Sequence, residues 1–263
     1  DLYDNAFALL ALATARGVLG GDTLDPHIEQ LLAALDTHMA RRTAGGYQEF
    51  RPAPGYRLQN PHMHLFESLL ALFAATRNTA LRARIGTLGK FIERSFFNNE
   101  EACINEFAAA TEAAQSGWFE PGHSMEWVWL LGWRSRLLGE PYPEFGRRVY
   151  HRALETLDAD GRAVMSVTVA GGARDPSRRL WSQTETLKAH LCMMEQSRGA
   201  VADEAAARAT HCAAGILGEW LEPAVAGGWL DHFGADGRLL ARNMPASSGY
   251  HLYCAIAELG RLA

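Results

Sequence analysis

The sequence predicts an all-α fold of helical hairpins, read as an (α/α)6 barrel with short β-segments in its loops. Three observations carry that prediction. Apolar residues recur at i, i+3, i+4 spacing along most of the 263 residues. Helix starts repeat at a nearly constant interval. Strand-like segments are short and few.

The helical segments follow in order. Ala6, Phe7, Leu9 and Leu10 open the first, and Ile28, Leu31, Leu32 and Leu35 mark the second. Leu65, Phe66, Leu69, Leu70 and Phe73 form the next strong stripe. Trp127–Leu138, Phe145–Leu157, Leu187–Met194, Ala205–Leu221 and Leu252–Leu259 behave alike, for about nine helices in all. The strand signals are Gly46–Phe50, Ala102–Phe107, Ala163–Val169 and Trp229–Phe233. One helix of each pair follows a polar or Pro/Gly-marked start near Asp1, Asn60, Gly122, Ser182 or Ala246, 59 to 64 residues apart. Hairpins in series either stack as an open solenoid or close into a ring, and a ring needs no caps for its apolar ends. Six hairpins of this period need roughly 370 residues. Residues 1–263 therefore read as a single barrel-type domain, incomplete on its N-terminal side by about three helices.

Composition narrows the function classes. With 48% hydrophobic and 21% charged residues, the chain has material for a real core and none of the signatures of disorder. A net charge of -5 argues against a nucleic-acid surface. No apolar run reaches the roughly 18 residues of a membrane span. Cys103, Cys192, Cys212 and Cys254 form no C-x-x-C pair, so four buried thiols in a reducing cytoplasm are expected.

Polar residues concentrate at the starts of alternate helices. In Arg57-Leu58-Gln59-Asn60-Pro61-His62-Met63-His64-Leu65-Phe66-Glu67, Asn60 reads as an N-cap and Pro61 as a first helical residue. That leaves Arg57, His62, His64 and Glu67 unexplained, with His64 and Glu67 on one face. By itself the pair reads as a core histidine held by a carboxylate. The second cluster, Trp118-Phe119-Glu120-Pro121-Gly122-His123-Ser124-Met125-Glu126-Trp127, repeats the His-x-x-Glu spacing at the equivalent point, which is hard to ascribe to chance. The third, Arg178-Arg179-Leu180-Trp181-Ser182-Gln183-Thr184-Glu185, fits both an S-x-x-E capping box and ligand binding by Glu185. The fourth, Met244-Pro245-Ala246-Ser247-Ser248-Gly249-Tyr250-His251, places Ser247 or Ser248 as a cap and His251 in the first turns.

Equivalent ends of the inner helices of a barrel converge on one cavity mouth. His64, His123 and His251, with carboxylates, amides and a tryptophan rim, are then expected to point into one cavity. Such a cavity suits a neutral polyhydroxylated ligand, with Trp118 and Trp181 offering aromatic faces to a sugar ring.

Gln59–Glu67, Glu120–Trp127, Trp181–Glu185 and Pro245–His251, with Asp1–Phe7, resemble the N-acylglucosamine 2-epimerase family of sugar epimerases and isomerases. The resemblance spans the chain, and four ordered motifs make it specific. It implies an (α/α)6-barrel isomerase that moves a proton at carbon 2 of an aldose through an enediol(ate), such as N-acylglucosamine to N-acylmannosamine, without metal or cofactor. It further implies that His123 and His251 are the acid/base pair, that Glu126 supports His123, and that Asn60 and His64 hold the sugar. Glu67, Arg57, Trp118, Trp181, Gln183 and Glu185 complete the expected substrate-binding set. The family's early substrate-binding Arg has no counterpart here. A mannose/fructose or phosphosugar aldose–ketose isomerase on the same scaffold is the alternative, with Arg57, Arg178 and Arg179 as candidate phosphate partners. A non-catalytic carbohydrate-binding protein would need the tryptophans but not three placed histidines. A carboxylate-bridged metal bundle uses the reverse Glu-x-x-His order, and a glycoside hydrolase would use Glu126 and Glu185 but leave the histidines idle. A reducing-end sugar is the expected partner, with no nucleic acid or membrane, and a homodimer is the candidate assembly.

Overall fold

A computed structural model describes residues 1–41, 45–50, 57–108, 117–221, 225–241 and 243–262. Among them run nine α-helices: α1 (Leu2–Leu19), α2 (Asp25–His38), α3 (Gln59–Thr76), α4 (Ala80–Phe96), α5 (Pro121–Leu138), α6 (Glu144–Leu154), α7 (Leu180–Gln196), α8 (Ala200–Gly215) and α9 (Ala246–Leu262). Eight short strands occupy the connections: β1 (Phe97–Asn98), β2 (Cys103–Ile104), β3 (Trp118–Phe119), β4 (Ser166–Thr168), β5 (Ala173–Asp175), β6 (Arg178–Arg179), β7 (His232–Phe233) and β8 (Leu239–Ala241). The expected all-α fold and the hairpin period are what is seen. None of these helices is long and apolar enough to cross a membrane.

Burial alternates along the series. Helices α3, α5 and α7 bury nearly every side chain of their first three turns, whereas α2, α4, α6 and α8 bury one face only. Ile85, Leu88 and Ile92 mark that face on α4, and the second helix of a hairpin is amphipathic for that reason. The terminal helices α1 and α9 also bury one face, through Leu2, Ala6, Leu9 and Ala13 and through Ser248, His251, Ala255 and Glu258. On α9, Tyr253 and Ile256 stay 70% and 55% exposed.

Packing groups the chain into two compact units. The first holds the described residues of Asp1–Phe97, Asn105–Ser116 and Trp133–Glu140. In it α1 lies along α3, flanked by α2 and α4. Asp1 caps α1 by accepting a hydrogen bond from Asp4 N–H at 2.8 Å. The second holds Asn98–Ile104, Gly117–Gly132 and the described residues of Pro141–Ala263. There α7 packs between α8 and α9, over a core of Leu180, Leu187, Leu191, Ile216 and Trp220. The predicted helix Ala205–Leu221 splits: α8 ends at Gly215 and a π-helical turn covers Ile216–Trp220.

The short strands fix where the buried helices begin. In the first unit Leu58 bridges Phe107, and Gln59 N–H donates to Glu106 O at 3.0 Å. In the second, β3-β4-β5 pairs Trp118 with Thr168 just before α5, and β6-β7-β8 pairs Arg179 with His232 just before α7. The strand signals at 102–107, 163–169 and 229–233 thus have counterparts, while Gly46–Phe50 supplies a single bridge from Tyr47 to Ala40.

Three capping expectations are corrected by these pairings. Helix α3 starts at Gln59 with Leu58 at its N-cap, so Asn60 and Pro61 lie inside the first turn. The Glu106 carbonyl takes the Gln59 N–H, so the helix begins ahead of Asn60. On α7 the Leu180 N–H donates to Asp231 O at 2.9 Å, and Ser182 Oγ turns back to Arg179 O. No capping box forms, and Glu185 sits a turn inside the helix. Ser248 Oγ donates to the buried carboxylate of Asp231 instead of capping α9. All four cysteines are thiols, but only Cys103 and Cys192 are fully buried.

Candidate active site

In the second unit three helix starts meet around one indole. Strand β3 delivers His123 into the first turn of α5, β6 places Trp181 at the second position of α7, and His251 lies in the second turn of α9. The Trp181 ring centroid is 5.1 Å from that of His123 and 5.6 Å from that of His251. Gly122 permits this approach. A Cβ there would fall 2.6 Å from the Trp181 ring and 2.8 Å from Ser182 Cβ. All three aromatic rings are nearly buried, with His123 at 7% and His251 at 6% exposure.

Each of the two imidazoles meets a carboxylate through Nδ1. His251 Nδ1–H donates to Glu185 Oε1 at 2.6 Å. His123 Nδ1 lies 3.5 Å from Glu120 Oε2, three residues before it. The hydrogen bond from His251 to Glu185 fixes the His251 tautomer and assigns exchange with a ligand to its Nε2. Glu185 is fully buried and its second oxygen is 2.8 Å from Lys188 Nζ. Burial alone would raise the Glu185 carboxyl. The Lys188 ammonium and the His251 hydrogen bond outweigh it and hold the group below the ordinary carboxylate range.

Glu126, Glu185 and His251 offer ligand atoms within 4.8 Å of one another, so these three could also hold a cation. The Lys188 ammonium already brings one positive charge to the cluster. Glu126 was expected beside His123; the geometry groups it with Glu185 and His251 as well.

The first unit holds the Asn60–Glu67 cluster. His64 Nδ1–H donates to Glu67 Oε2 at 3.0 Å, both buried, with Tyr3 edge-on and Phe7 tilted against the imidazole. Asn60 Oδ1 is buried and accepts no hydrogen bond among the described residues. An orphaned buried acceptor is costly, so a site that tolerates one is suited to a donor from outside the chain.

Other residues of the expected binding set are occupied by the protein itself. Arg57 donates to Gly45 O at 2.9 Å, approaches Glu49 Oε1 at 3.5 Å and stacks over Phe91. Gln183 clamps Ala163, accepting from its N–H at 3.0 Å and donating to its C=O at 2.8 Å. Each of these two supplies a polar partner that the loop backbone requires. Trp118 stacks under the Arg174 guanidinium at 4.2 Å. Arg178 reaches Asp158 and Arg179 pairs with Asp231 at 2.6 Å, so with Arg57 beside Glu49 all three phosphate candidates face a carboxylate. His62 is likewise occupied. Its Nδ1–H donates to Leu58 O at 2.8 Å, its Nε2 accepts from Tyr47 N–H at 3.1 Å, and burial pushes its pKa down to about 4.

The sequence reading missed Glu120, Asp231 and Lys188. Lys188 carried a signal: a cation inside an apolar helix, three residues after Glu185. Glu120 lies between β3 and α5, and its partner depends on how that strand meets that helix.

A family model described as N-acylglucosamine 2-epimerase matches residues 1–255. The mannose-6-phosphate isomerase of Rhizobium meliloti (strain 1021) is 33% identical over 273 residues, which cover 98% of this chain and 69% of that protein. A D-mannose isomerase structure matches with a TM-score of 0.84 at 20% identity, over 100% of this chain and 72% of that one. The cellobiose 2-epimerase from Spirochaeta thermophila DSM 6192 gives 0.81 at 22% identity, over 98% of this chain and 69% of that one. At these identities the two structures show the fold, that of epimerases of the α/α-barrel type.

Proposed function

The chain belongs to the N-acylglucosamine 2-epimerase family, and on that premise we propose that it moves the proton on carbon 2 of an aldose through a histidine pair, His123 and His251. That family is one of sugar epimerases and isomerases. The observation that supports the pair is that both imidazoles pack against the Trp181 indole, each with Nδ1 facing a carboxylate.

The chemistry follows from those groups. The sugar opens to its aldehyde, which acidifies the proton on carbon 2. One imidazole takes that proton on Nε2, and the electron pair of the broken C–H bond passes into the enediolate. Glu185, ionised next to His251, stabilises the imidazolium that forms there. Return of a proton to the opposite face of carbon 2 by the second histidine completes epimerisation. Return to carbon 1, with the hydroxyl proton passing from O2 to O1 so that carbon 2 becomes the carbonyl, gives the ketose and can use the same histidine. Trp181 offers its face to the C–H side of the ring. The resemblance assigns sugar holding to Asn60 and His64, and the orphaned Asn60 Oδ1 agrees with a hydroxyl donor.

The ketose-forming branch has one observation in its favour. The relative at 33% identity is named a mannose-6-phosphate isomerase. A mannose-configured aldose, phosphorylated or free, is therefore the first substrate to test.

Incubation in D2O with mannose, mannose 6-phosphate, glucose, N-acetylglucosamine and cellobiose, followed by NMR, tests the proposal. Deuterium at carbon 2 with the epimer indicates epimerisation, and deuterium at carbon 1 of a ketose indicates isomerisation. Binding of these sugars without any exchange would leave a carbohydrate-binding protein and overturn the enzymatic reading.

A further inference from the structure

Lys188 has a place in the site that the family motifs do not explain. It follows Glu185 by three residues on α7, so the two side chains share a face. Both are fully buried. The ammonium is 2.8 Å from Glu185 Oε2 and 3.6 Å from the centroid of the Trp129 ring, which projects from α5. The other Glu185 oxygen takes the His251 Nδ1–H. Trp129, Lys188, Glu185 and His251 thus form one chain of contacts from α5 through α7 to α9.

A structural role alone is a poor account of this lysine. Burying an ammonium costs several kcal/mol, and an apolar side chain of the same volume often stabilises as well as a buried ion pair. Glu126 and Glu185 also lie close together, and two neighbouring carboxylates disfavour each other's ionised forms. A cation bound to one of them relieves that repulsion. The aromatic face fixes where the cation sits.

We propose that Lys188 is a positioning residue for proton transfer. By holding Oε2 it sets the rotation of the Glu185 carboxylate, so that Oε1 faces His251 Nδ1 and the imidazole presents Nε2 in one orientation. This inference rests on the reading of His251 as a proton-transfer group.

The test is Lys188→Met, alone and in a Glu185→Gln background. Deuterium exchange at carbon 2 is read with mannose and mannose 6-phosphate, and the His251 Nδ1 proton is followed by NMR without sugar. In the single variant kcat should fall roughly 10–100-fold, the range seen when a supporting partner is lost, with KM changed less than about threefold. The low-field Nδ1 proton should disappear. In the Glu185→Gln background the same substitution should add less than about threefold, because Lys188 acts through Glu185. A folded Lys188→Met protein that keeps the low-field proton overturns the inference, whatever its kcat. Should Lys188→Met not fold, the wild-type protein decides: the low-field His251 Nδ1 proton and a nuclear Overhauser contact from the Lys188 side chain to the Trp129 ring are expected, and the absence of either overturns the inference. Exchange by the wild-type protein with none of the sugars tested would sink the functional reading instead, and the two NMR measurements would still decide the placement of Lys188.

Discussion

Replacing Glu185 by Gln removes one charge and almost no volume, which isolates the ion pair from packing. Glu185 and Lys188 are both at 0% exposure, so water cannot replace the lost partner. Breaking a buried pair from one side typically costs about 3–5 kcal/mol. The Gln amide oxygen can still accept one hydrogen bond, from Lys188 or from His251, so the lower end, about 3 kcal/mol, is expected. For a chain of this size that is a fall in Tm of roughly 6–12 °C. The pH dependence has a definite sign. The folded-state carboxyl is held below its ordinary value of 4.5. Its contribution is therefore complete above that value and is lost as the pH falls through the lowered one. Urea unfolding of both proteins by circular dichroism, at pH 7 and in steps down to pH 3.5, measures the gap. A gap below about 1 kcal/mol at pH 7, or one that does not narrow with acid, would refute the claim that this pair is ionised and uncompensated by water.

Four further outcomes are expected. His123→Asn and His251→Asn should each lower carbon-2 exchange by roughly 10²–10⁴-fold with the fold retained, whereas His64→Asn should act mainly on KM; exchange near wild type in both of the first two variants sinks the pair. Gly122→Ala should cost about 1–3 kcal/mol through overpacking, because its Cβ would overlap Trp181 and Ser182; an unfolding midpoint and exchange rate equal to wild type would show that the indole can move aside. Gln183→Leu should lower stability and leave KM unchanged, since both ends of the amide hold Ala163; a raised KM at full stability would return Gln183 to the binding set. His62 should stay neutral until about pH 4, so its contribution to stability is complete above pH 6.5 and declines as pH falls between those values; nitrogen chemical shifts showing titration above pH 6 would contradict its burial.

The hairpin series is legible in the sequence, because helical periodicity and a repeat of about 60 residues are local and additive signals. The helix starts at which polar and titratable residues cluster are legible there too. His64 with Glu67, and His123 near Glu126, stand out as titratable groups in apolar helices whose burial must be explained. Which partners those groups meet depends on the packing of the helices. Asn60 and Ser182 look like caps because the cap rule considers only their own helix, yet strands paired from elsewhere in the chain take over the first N–H groups. Glu185 looks like half of a capping box, yet its carboxylate is taken by His251, 66 residues away in sequence. Arg57 and Gln183 carry donors whose partners the sequence does not name, and the structure pairs them with Gly45 O and Ala163 O. A partner's type can be read from sequence when it lies within one turn of the same helix. When the partner comes from another hairpin, only the packing of the helices says which carboxylate meets which imidazole.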